Sequence, residues 1–219
     1  MSVIRERAKS NFPMVLLTLL SIVQALAFEL LWDQIHEHPE FYVWSWEALV
    51  SWSRVATTLL GIILIWTSYA TMVMRFRWVP SSSDTFFPFF VGIVQFIMIE
   101  QLATKDTAGW LFCLAVLFSV MNWISHHDMK RARLDIENAE FFDQRGRASI
   151  RDFLPAIVFV TGIFLLSFAI WSVGPIIWLV SIAAILVFSL MCYQIVISHR
   201  FWELSMQLET ARSKLDNEG

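Results

Sequence analysis

The sequence predicts an all-α, polytopic membrane protein: a six-transmembrane-helix bundle of three helical hairpins with cytoplasmic helical extensions. Three observations predict it. Six apolar stretches fill most of the 219 residues. Hydrophobic residues make up 57% of the chain and charged ones only 16%, and the basic residues are sorted into alternate connections. With a mean hydropathy of +0.60, such a chain dissolved in water would expose large apolar patches and aggregate.

The apolar runs cover residues 14–31, 55–74, 86–99, 109–124, 154–171 and 175–198. A spanning helix needs about 20 mainly apolar residues, and several runs reach that only with their flanks. Each odd-numbered run opens on a phenylalanine close before a proline: Phe12-Pro13, Phe87-Pro88 and Phe153-Leu154-Pro155. Proline is tolerated in the first helical turn, where its missing N–H would have no partner. The first run has no clear small-x-small cleavage site, so it is expected to stay as a helix.

Charge sorting sets the orientation. Arg5, Arg7 and Lys9 precede the first run, and Arg75 and Arg77 follow the second. Lys130, Arg131, Arg133, Arg145, Arg147 and Arg151 follow the fourth, and Arg200, Arg212 and Lys214 follow the sixth. The opposite connections hold Asp33, His36, Glu37, His38 and Glu40, then Lys105, then no basic residue. Lysine and arginine accumulate on the cytoplasmic side, so both termini are expected there, in a plasma (inner) membrane protein. Trp32, Trp44, Trp46, Trp52, Trp110, Trp171 and Trp178 fall near the outer boundary, and Trp66, Trp78, Trp123 and Trp202 near the inner one.

The runs also hint at a repeat. The first reads Ser21-Ile22-Val23-Gln24 and the third Gly92-Ile93-Val94-Gln95, each with a glutamate five residues on, Glu29 and Glu100. The fifth reads Gly162-Ile163-Phe164-Leu165, without the polar pair. Three hairpins of one type would give a threefold pseudo-symmetric bundle.

Acids within a membrane helix are costly and are functional candidates by default. Glu29 and Glu100 lie about 24 and 18 Å along their helices from Pro13 and Pro88, in the outer part of the membrane. Two readings stay open: carboxylates lining an outward-facing, cation-attracting vestibule, or acids near the headgroups paired with Arg54 or Lys105. Gln24 and Gln95 lie deeper and need hydrogen-bond partners. A five-residue step turns about 140° around a helix, so each glutamine faces away from its glutamate. Ser189, Cys192, Tyr193 and Gln194 on the sixth run could line a vestibule or hold another subunit.

His36 and His38 beside Glu37 and Glu40 could ligate a divalent metal, but the spacing is common. His126, His127 and His199 suit helix C-termini. Cys113 and Cys192 form no CxxC pair and read as packing residues. There is no GxSxG, HExxH, GxxxxGK or GxGxxG pattern, so no enzyme, cofactor or bound metal is expected. The chain reads as one integral membrane domain over 1–219, with helical extensions at 128–150 and 200–216. In the second, Phe201, Leu204 and Leu208 step by three and four, as a partner- or oligomer-contacting face would. Mixed charges there argue against nucleic acid.

The expected function is a small channel or transporter of the lipid bilayer, working as a homo-oligomer and handling cations, with Glu29, Glu100, Gln24 and Gln95 at its vestibule. The alternative is a non-transporting membrane sensor or scaffold that recruits a cytoplasmic protein partner through its extensions.

Overall fold

A computed structural model describes residues 3–145 and 150–218. It is all-helical, with seven α-helices: α1 (Val3–Glu37), α2 (Trp46–Arg75), α3 (Phe86–Ala103), α4 (Thr107–Ala132), α5 (Ala139–Arg145), α6 (Ile150–Val173) and α7 (Ile177–Glu218). All except α5 contain a stretch long and apolar enough to cross a membrane.

Local chemistry sets the helix ends. The Ser45 hydroxyl accepts from the Ala48 N–H and caps α2, and the Asp106 carboxylate accepts from the Gly109 N–H and caps α4. Ser81 and Asp84 form a capping box on the 3-10 turn Ser82–Thr85 that leads into α3. Between α6 and α7, Gly174 adopts a φ of +91°, a conformation open to glycine at little cost, and Pro175 follows it. Pro88 lies in the first turn of α3, as expected, but Pro13 does not open α1. That helix begins at Val3, so the basic N-terminal segment is itself helical. Pro13 interrupts the ladder at the carbonyl of Lys9.

The six long helices pack as two arms of three. In one, α1 packs on α2 and α2 on α7; in the other, α3 packs on α4 and α4 on α6. The arms meet along an extensive α1–α3 seam. Across the far side α6 and α7 barely touch, although only residues 174–176 join them. This is not the threefold set of hairpins that the repeat suggests. The fifth and sixth spans pack on α4 and α2 and hardly on each other.

The chain also departs from expectation after α4. The helix ends at Ala132 instead of running on through 128–150. A 3-10 turn (Ile136–Asn138) and the short α5 then fold back beneath α2. Asn138 drives the reversal: its amide donates to the carbonyls of Ala132 and Arg77 at 2.7 and 2.6 Å and accepts from the Arg77 N–H. Phe142 then packs in a small apolar cluster with Met72, Phe76, Trp78 and Ala132. At the C-terminus α7 continues without a break to Glu218; the side chains of Phe201, Leu204 and Leu208 lie outside the described residues.

Candidate functional site

The seam between the arms is pinned by one polar pair. Gln24 on α1 and Gln95 on α3 donate to each other's carbonyl oxygens, 3.0 Å in each direction. Both are buried, Gln95 completely. Pairing two amides in this closed form satisfies one donor and one acceptor on each without any third partner. A close backbone approach makes room for it. One turn before Gln95, a Cβ placed on Gly92 would lie 2.6 Å from Cγ1 of Val23, so only glycine lets α1 come this near.

Beside the pair lies a cavity of about 530 Å³. It is bounded by the middle and later parts of α2 and α4, by α3 at Gln95 and Met98, by the start of α6 and by α7 from Leu190 to Ile197. It therefore reaches from the centre of the bundle towards the end that carries the chain's N-terminus. Most of its wall is aliphatic or aromatic. Among the described residues, the polar side chains in it are neutral: Ser68, Gln95, Asn122, Ser125, Tyr193 and Gln194. A pocket of this size with a few convergent polar groups is the usual form of a small-molecule site.

Below the cavity, two ionic clusters tie the helix ends together. Arg131 on α4 donates through Nη2 to Asp84 Oδ2 at 2.8 Å and also to Asp128 Oδ1; both carboxylates are buried. Lys9 on α1, also buried, bridges Asp135 at 2.7 Å and Glu137 at 2.6 Å, and Arg77 reaches Glu137 at 2.9 Å. Burial opposes the charge of Asp135. Hydrogen bonds from Lys9 and the Glu137 N–H, with the charges of Lys9 and Arg77, outweigh it and hold its carboxyl below the usual range. Glu137 is held low first by its hydrogen bond from Lys9, which burial opposes, and then by the charges of Lys9 and Arg77.

Asp84, His127 and Asp128 could offer metal-ligand atoms within 4.8 Å of one another. The cation between the two carboxylates is already supplied by Arg131, whose Nη2 bonds both. His127 stacks instead on Trp123, with ring centroids 5.8 Å apart. The cluster thus reads as a structural tie.

The residues singled out from the sequence separate into two groups. Gln24 and Gln95 come together at the seam, and Tyr193 and Gln194 reach the cavity. Glu29 and Glu100 are both exposed, on the sides of α1 and α3 away from the glutamines, and line no part of the cavity. Arg54, one of the partners considered for them, is buried and otherwise engaged. It donates to the Gln101 carbonyl at 2.9 Å and lies over the Trp110 ring, 5.5 Å from its centre. Sequence reasoning missed Ser68, Asn122 and Asp84 as site or cluster residues. Their only signal was a small polar residue within or beside an apolar run, which is too common to single them out.

No family model matches the chain, and neither a curated protein nor a solved structure matches it.

Proposed function

We propose that this chain is a small membrane transporter that holds an uncharged, largely apolar molecule in the cavity between its two arms. One observation carries the reading: the cavity has an apolar wall and neutral hydrogen-bonding groups, with no charged residue in its lining among the described residues. Such a site accepts a neutral molecule, because an ion there would lose its hydration without gaining a counter-charge. The sorting of lysine and arginine supports cytoplasmic termini and a cavity in the inner half of the membrane.

A second reading keeps the acids. Glu29 and Glu100 are exposed on membrane-spanning helices, where assembly of several copies would enclose them in an outward-facing, cation-attracting vestibule.

The test is translocation by purified protein in liposomes, with a fluorescent monoacylglycerol and with sodium and potassium under an imposed gradient. Movement of the neutral lipid that falls in Ala156→Trp, a substitution that fills the cavity, is the expected result. Cation flux that falls in the Glu29→Gln, Glu100→Gln double variant would overturn it in favour of the vestibule. No movement of either would leave the scaffold role, through the part of α7 beyond the membrane.

A further inference from the structure

The cavity is closed on one side only by two helices that barely meet. Pro155 and Phe159 of α6 and Met191 and Ile197 of α7 form that wall. In a membrane-spanning chain this side faces hydrocarbon. The surface around it agrees, with Leu154, Ile157 and Val158 on α6 and Val196 on α7 all exposed.

Two hydroxyls of the lining, the half-buried Ser68 and the exposed Ser125, differ from their neighbours. On α2, Thr57, Thr58 and Thr67 each donate to the carbonyl four residues earlier, as does Ser119 on α4. That is the ordinary way for a membrane helix to satisfy a hydroxyl. Ser68 and Ser125, on the same two helices, line the cavity and have no hydrogen-bond partner among the described residues. Asn122 spends one N–H on the Phe118 carbonyl, which leaves its second N–H and its amide oxygen. Gln95 keeps one N–H and one lone pair after pairing with Gln24.

We infer that the cavity binds a neutral, single-chain amphiphile of the monoacylglycerol or fatty-alcohol type, which enters sideways from the bilayer between α6 and α7. The polar head sits on Ser68, Ser125 and Gln95, and the chain lies in the gap. Charge selects the head: with no ionised side chain in the lining among the described residues, a phosphate or carboxylate would be buried unpaired. Size selects the tail: about 530 Å³ suits one chain with a small head, not a whole two-chain phospholipid. The inference names the occupant of the proposed transport site and rests on that reading for its role, though not for binding.

The test is photolabelling of the full chain in nanodiscs with a monoacylglycerol carrying a mid-chain diazirine, followed by peptide mapping. Adducts are expected at residues 155–159 and 190–197, and loss of them in Ala156→Trp. The milder pair Ser68→Ala, Ser125→Ala should need about tenfold more probe for equal labelling, the effect of losing two neutral hydrogen bonds. Adducts undiminished in both variants, adducts spread equally over Val15 and Ile22 of α1, or equal labelling by a diazirine phospholipid would each overturn the inference. Labelling without translocation would sink the transporter reading alone; translocation without labelling at the gap would sink this one alone.

Discussion

Gln24 and Gln95 each act as donor and acceptor to the other, so the α1–α3 seam holds a closed ring of two amide hydrogen bonds. Removing one amide leaves its partner buried with nothing to bond. Gln24→Leu or Gln95→Leu alone should destabilise the protein by about 1–3 kcal/mol, and the double variant by less than the sum. Unfolding in detergent micelles, read as a double-mutant cycle, measures this. Additive losses would mean that the pair is not coupled.

Gly92→Ala places a methyl where Val23 already stands. The β-branched Val23 has no freedom to withdraw, so the seam must widen. A loss of about 1–3 kcal/mol is expected, and Val23→Ala in the same chain should restore most of it. The thermal midpoints of the single and double variants check this.

Arg131→Gln strips two buried carboxylates of their shared cation. Breaking such a pair costs about 3–5 kcal/mol, and the lower figure applies because the Arg131 side chain is 17% exposed. Adding Asp128→Asn should recover part of the loss by removing one stranded charge. A greater loss in the double variant would contradict the account.

Acid should loosen the foot of the bundle. Asp135 and Glu137 are held below their ordinary values, so the folded state binds their protons less readily than the unfolded state. Their contribution is present above the ordinary carboxylate range near pH 4 and is lost as pH falls through the depressed values. Stability against pH should therefore drop below about pH 4 in the wild type. In Lys9→Met the drop should be shallower, with its onset unmoved, because the onset is set by the unfolded-state values.

The spans were legible because a run such as 55–74 or 175–198 carries its own physics: length and hydropathy suffice, whatever it packs against. Gln24 and Gln95 stood out as amides in hydrocarbon, but not as each other's partner, because pairing depends on which helices meet. The reversal after Ala132 was hidden for the same reason. Met129, Ala132 and Ile136 keep helical spacing, and it is Asn138, bonded to Ala132 and twice to the distant Arg77, that ends the helix. Ser68 and Ser125 looked like any membrane hydroxyls until the carbonyls they do not use became visible.

The unequal seams make the bundle work like a clothes-peg. With α7 fixed to α2 and α6 to α4, widening the gap at α6 and α7 would break few contacts among the described residues, and the loop at Gly174 would still tether the two helices. The resistance sits on the other side, at the fulcrum where Gly92 lets the arms touch and two glutamines clasp them. How far such jaws would open is therefore set at the α1–α3 seam, across the bundle from the gap itself.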